Sequence, residues 1–223
     1  MERSPHLKPK PYESSKSHQL TLVIIIVLFH VVGITGFCIP SLQAIFLKIV
    51  PWHLLLMLVI VMLSHRPLNG KLLLFTLLLF ISGFFIEWIG VHTSWLFGTY
   101  SYGNTLGIKL NNIPLTISIN WFLLIYSTGV FMQLIRVKNI FTRVITGALI
   151  LVLLDVLIEP VAMKFDYWHW AGNVIPIENY ACWFLVSALM LYLFERFDFK
   201  KQSIVAPVFL LMQFLFFIVL RLI

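Results

Sequence analysis

The sequence predicts an all-α fold, a single polytopic transmembrane helical bundle of about seven spans with its N-terminus in the cytoplasm. Three observations predict it. The 223 residues are 60% hydrophobic and only 11% charged, with a mean hydropathy of +0.96, whereas soluble domains are about 45–50% apolar and about 25% charged. Seven apolar runs follow one another, each near the ~20 residues that cross hydrocarbon except a shorter second. The basic residues alternate between the turns in the way that orients membrane helices.

Residues 1–19 hold Pro5, Pro9 and Pro11 with Arg3, Lys8, Lys10 and Lys16, and read as a disordered basic arm. The following run, Leu20 to Phe37, is longer than a signal-peptide core and has no small-x-small cleavage site after it, so it reads as an uncleaved first span. The second span runs from about Trp52 to Ser64, with a start before Pro51 left open, the third from Leu72 to Ile89, and the fourth from Ile113 to Ile135. Ile140 to Val161, Tyr180 to Phe194 and Ile204 to Leu220 give the remaining three. Residues 20–223 therefore form one domain, with no internal repeat.

With the N-terminus inside, the cytoplasmic segments hold Arg3, Lys8, Lys10, Lys16, Arg66, Lys71, Arg136, Lys138, Arg143, Arg196, Lys200 and Lys201. The outer segments hold Lys48, Lys109, Lys164 and Arg221. Twelve of the 16 basic residues on one side explain the net charge of +7 as topology, not as nucleic-acid binding. The same topology puts the loops 90–112 and 162–179 on one side, the outer one.

Those two loops organise the chain. The first carries Trp95, Phe97, Tyr100 and Tyr102 among several glycines and follows Glu87; the second carries Trp168, His169 and Trp170 and leads to Asn179. Plain connections between membrane helices need only a few polar residues, and long aromatic loops usually line a site. Glu87 lies near the outer end of the third span. Asp155 and Glu159, near the outer end of the fifth, are four residues apart and share one helical face. A charge in hydrocarbon costs at least about 2.5 kcal/mol and generally faces a cavity or a partner; nearby Lys164 serves at most one of the three. A protonated acid beside an ionised carboxylate is a general acid/base pair, and aromatic faces stabilise positive charge developing on an apolar substrate. Gly83 and Gly90 flank Glu87 and allow close helix approach, which would keep the third span near the bundle centre.

His92 and His169 stand in the two loops without metal-ligand spacing, and His30 and His53 lie at helix positions where a neighbour or water would bond them. Cys38 and Cys182 read as packing residues. No phosphate loop, nucleophile elbow or dinucleotide fingerprint is present. The expectation is chemistry with no metal and no cofactor.

The run Glu87…Gly90…Phe97-Gly98-x-Tyr100-x-Tyr102…Leu106-Gly107…Pro114…Trp121, joined by Asp155…Glu159-Pro160…Trp168-x-Trp170-x-Gly172…Ile175-Pro176…Asn179…Trp183, resembles the CruF-type carotenoid biosynthesis family of integral membrane proteins. Glu159-Pro160 stands where the family has Asp-Pro, and Cys182-Trp183 where it has Gly-Trp. The resemblance implies a multi-pass protein of the cell (inner) membrane, a carotenoid 1',2'-hydratase adding water across the terminal double bond of an acyclic end group. Its implied partners are a lycopene-like or γ-carotene-like substrate, membrane lipid and other enzymes of carotenoid synthesis. Its implied catalytic residues are Glu87, Asp155 and Glu159, with Asp155 or Glu159 as proton donor and Glu87 orienting water. Trp95, Phe97, Tyr100, Tyr102, Trp121, Trp168 and Trp170 would bind substrate, and Asn120 and Asn179 would hold water or the new hydroxyl. Cyclisation of an isoprenoid uses the same acid and cation and stays open, as do a transporter and a non-catalytic scaffold.

Overall fold

The computed structural model describes residues 16–135 and 137–223. Most of the basic arm, and Arg3, Lys8, Lys10 and Arg136 of the charge count, lie outside the described residues. Residues 16–19, expected in the arm, form the first turn of the first helix. Seven helices follow in order: α1 (Lys16–Cys38), α2 (Pro40–Ser64), α3 (Gly70–Thr93), α4 (Leu115–Leu134), α5 (Ile140–Lys164), α6 (Ile177–Arg196) and α7 (Val205–Leu222). All seven are long and apolar enough to cross a membrane.

The helix starts follow local chemistry. The side chains of Asn69 and Asn139 accept from the backbone N–H groups of Leu72 and Thr142, capping α3 and α5. The extended residues Pro114 and Pro176 precede α4 and α6. Pro40 opens α2, where its missing N–H is no loss. This helix begins before Pro51, the longer of the two starts the sequence left open, and continues through that proline; prolines are tolerated in membrane helices whose neighbours re-satisfy the backbone.

The core runs along α4, where 15 of 20 residues are buried. It packs against α2, α3, α5, α6 and α7, so its sides are covered by protein. The bundle centre is therefore α4 and not α3. Helix α3 lies at the edge and packs on α4; a Cβ on Gly83 would stand 3.0 Å from the Trp121 side chain. The small residue brings two helices close without making its own helix central.

Two features group the turns by end. At one end, the Arg66 amide donates to Gln202 Oε1 at 2.8 Å, Lys71 Nζ donates to the Asp198 carbonyl at 3.4 Å, and Arg143 pairs with Glu195. At the other end the two aromatic loops meet, as the alternation of basic turns predicts. They do so through short strands that an all-helical reading does not anticipate: β1 (Tyr100–Tyr102), β2 (Lys109–Leu110), β3 (Ile113–Pro114) and β4 (Trp168–Trp170). Strand β2 pairs with β3 within the first loop, and β1 pairs antiparallel with β4 across the two loops.

Candidate active site

The β1–β4 ribbon builds the site. Side chains alternate along a strand, so Tyr100 and Tyr102 share one face of β1, and Trp168 and Trp170 the same face of β4; these four are buried while Ser101 and His169 point outward. The register sets Tyr100 opposite Trp170 and Tyr102 opposite Trp168. The inward face thus presents four ring-borne donors to the ends of α3 and α5.

Each helix supplies one acceptor. The Tyr100 and Tyr102 hydroxyls both donate to Glu87 Oε2 at 2.6 Å, and Trp121 Nε1 donates to Glu87 Oε1 at 2.9 Å. Burial, and after it the Glu87 charge, pushes both phenols well above their ordinary range, so they remain donors. Trp168 and Trp170 donate through Nε1 to Glu159 Oε2 at 2.9 and 2.6 Å. Each glutamate therefore accepts at both of its carboxyl oxygens, because Asn179 Nδ2 also donates to Glu159 Oε1 at 3.0 Å. The same nitrogen donates to Asp155 Oδ2 at 2.8 Å. Asp155 is fully buried, and its Oδ1 has no partner among the described residues.

Glu87, Glu159, Asn179, Phe97, Trp170 and Trp183 are among the residues enclosing a chamber of about 30 Å³, room for one or two waters. Asp155 lies behind Asn179 and off this chamber. Trp121, also off it, stacks on Trp183 at 4.5 Å between ring centroids while holding Glu87. Ile117, Asn120, Ile158 and Trp168 line the chamber on one side and, on the other, a second cavity of about 230 Å³. That cavity is lined mainly by apolar residues of α1, α2 and α7, and reaches the outward-facing Phe29, Val32 and Ile49. Asn120 stands between the polar and apolar spaces.

Most of the predicted site residues converge here. Trp95 does not. Ser94 takes a left-handed conformation (φ 55°) at the end of α3, and the reversal leaves Trp95 80% exposed and outside both cavities. Lys164 lies over the Phe165 ring, 5.3 Å from its centroid, and not against the carboxylates. His92 stacks on Trp88, and His169 bonds Asp166 at 2.7 Å. Asp166 also accepts the Asn104 N–H at 2.9 Å and so clips the ribbon from outside. That amide, and after it His169, holds the Asp166 carboxyl below its ordinary range. Two lining residues, Ile117 and Ile158, carry no sequence signal, since apolar residues fill every face of their helices.

Seven helices long and apolar enough to cross a membrane, with a polar chamber beside an apolar cavity, define a multi-pass membrane protein. The carotenoid biosynthesis protein family matches residues 49–223, and the chain belongs to that family. It is similar to the bisanhydrobacterioruberin hydratase of Haloarcula japonica, at 26% identity over 126 residues, which is 53% of this chain and 43% of the relative. The match thus spans less than half the length of that curated relative. No solved structure matches the chain.

Proposed function

We propose that the protein is a carotenoid hydratase of the cell (inner) membrane, acting on the terminal double bond of a lycopene-like or γ-carotene-like end group. One observation carries the reading: a water-sized chamber walled by two carboxylates adjoins an apolar cavity, and the two share Asn120 and Trp168. A polyene dissolves only in the bilayer, whereas the second reactant is water. The two spaces meet both needs.

In this reading the terminal segment of the polyene enters between α1 and α2 and lays its end group against Asn120 and Trp168. The Glu159 carboxyl gives its proton to the CH carbon of the terminal alkene, and the π pair forms the new C–H bond. The vacancy is a tertiary cation at the dimethyl carbon. The indole faces of Trp168 and Trp170 lie beside it and stabilise it by cation–π attraction. Water in the chamber, hydrogen-bonded to Glu87 and Asn179, forms the C–O bond and gives one proton to Glu87. That proton returns to Glu159, and the net change is addition of one water. Asp155 acts through Asn179, holding the amide that orients Glu159. The chamber's size favours capture by water; cyclisation would need room there for a folded end group.

The test is pigment analysis of bacteria that make lycopene or γ-carotene and express this chain. A pigment heavier by one water is the expected product, with one carbon-bound deuterium when membranes holding the protein convert preformed, unlabelled carotenoid in heavy water. A pigment of unchanged mass and altered spectrum would establish cyclisation instead. Unchanged pigments despite membrane expression would leave a transporter or scaffold.

A further inference from the structure

The apolar cavity has a polar wall that the hydration chemistry does not use. His30 on α1 donates or accepts at two positions: Nδ1 meets the Ile26 carbonyl at 2.8 Å, and Nε2 meets Gln213 Nε2 of α7 at 2.9 Å. The first contact requires the proton on Nδ1, which leaves Nε2 to accept from the Gln213 amide. His53 of α2 lies edge-on to His30, with ring centroids 4.9 Å apart. All three side chains line the cavity. Interhelical bonding explains His30 and the Gln213 nitrogen. It leaves the His53 ring nitrogens and the Gln213 Oε1 without a hydrogen-bond partner among the described residues. Polar groups unpaired inside hydrocarbon are costly and mark a function by default.

We propose that His53 and Gln213 form a second polar subsite, which binds a hydroxyl group carried by the isoprenoid in the cavity. A neutral imidazole offers one donor and one acceptor, and Gln213 Oε1 offers an acceptor. A hydroxyl both donates and accepts and so pairs with both side chains. A carbonyl would leave Oε1 unpaired, and a plain hydrocarbon would leave all of these groups unpaired. The protein therefore prefers an isoprenoid alcohol over the parent hydrocarbon. The inference deepens the proposed function, because the alcohol occupies the space assigned to the substrate.

The test uses the full chain in lipid nanodiscs and three probes: geraniol, farnesol and geranylgeraniol. They share one isopropylidene end and differ in how far from it the hydroxyl lies. Binding is followed by tryptophan fluorescence against the matching hydrocarbons that lack the hydroxyl. At least one alcohol is expected to bind about tenfold tighter than its hydrocarbon, with the advantage lost in His53→Leu and in Gln213→Leu. Should either variant fail to fold, His53→Phe and Gln213→Met fill the same space and carry the same expectation. Equal binding of alcohols and hydrocarbons by the wild-type protein overturns the inference, as does a preference that survives both substitutions. Conversion of lycopene or γ-carotene by the same preparation is scored separately, so the hydratase reading stands or falls on its own.

Discussion

Tyr100 and Trp170 are cross-strand partners, with ring centroids 5.0 Å apart, yet they serve different helices: the phenol donates to Glu87 of α3 and the indole to Glu159 of α5. One two-stranded ribbon therefore bridges two carboxylates carried by different helices. The predictions below follow from that arrangement.

Glu87→Gln and Glu159→Gln each remove a carboxyl to which the proposed mechanism gives proton transfer, while keeping the side chain's size. Each is expected to lower hydration at least a hundredfold with the protein still folded in the membrane. Product yield per unit of membrane protein measures it, and a near wild-type yield from either variant removes that residue from the proton path.

Asp155→Asn is expected to cost about tenfold, less than Glu159→Gln, because its amide oxygen still accepts from Asn179. The comparison of the two variants under identical expression is decisive. Equal losses would place Asp155 on the proton path itself.

Trp170→Phe keeps the ring and deletes the 2.6 Å bond to Glu159. In the proposed mechanism Glu159 gains charge as it gives up its proton, and a hydrogen bond to a charged group is worth about 1.5–3 kcal/mol, so the rate should fall about tenfold or more while substrate affinity changes little. A loss confined to affinity would mean that the indole acts only as a wall.

Gly90→Ala introduces a Cβ that would lie 2.7 Å from the Tyr100 hydroxyl and 2.8 Å from the Phe97 ring. The ribbon must move off α3, at an overpacking cost of about 1–3 kcal/mol. Lowered thermal stability together with lost activity is the expected result, and unchanged activity would show that the Tyr100–Glu87 bond is dispensable.

The ribbon's outer clip makes it sensitive to acid. The folded protein holds Asp166 below its ordinary value of about 3.9, so its contribution is complete above that value and is lost as pH falls through the lower folded one. Asp166 is half exposed, so the contribution is small. Amide exchange at Asn104 should stay slow from neutral pH to about pH 4 and accelerate below it, after allowance for the intrinsic rate. In Asp166→Asn that step should be absent.

The spans and the grouping of the loops were legible because hydropathy and basic turns act over whole segments. The carboxylates were legible because an acid in an apolar run has few reasons to be there. The ribbon was not: Tyr100-x-Tyr102 and Trp168-x-Trp170 alternate over three residues each, too short a pattern to separate a strand from an aromatic membrane boundary. Trp95 looked equivalent to its neighbours, and only the left-handed turn at Ser94 sends it outward. The apolar cavity was hidden for another reason. His30, His53 and Gln213 come from three helices, His30 and Gln213 being 183 positions apart, and helices apolar on every face give no sign of which face borders a space.

The pairing of β1 with β4 also orders the protein's biogenesis. Residues 100–102 and 168–170 are joined only after two further helices have been synthesised, so a growing chain stopped short of Trp168 holds Glu87 with its tyrosines but lacks the strand that completes the pocket. Five helices, α1 to α5, precede the second loop, so the candidate site is completed late, when that loop docks. A translation-arrest series should show membrane integration well before pigment conversion, with activity appearing only once α6 has emerged from the ribosome.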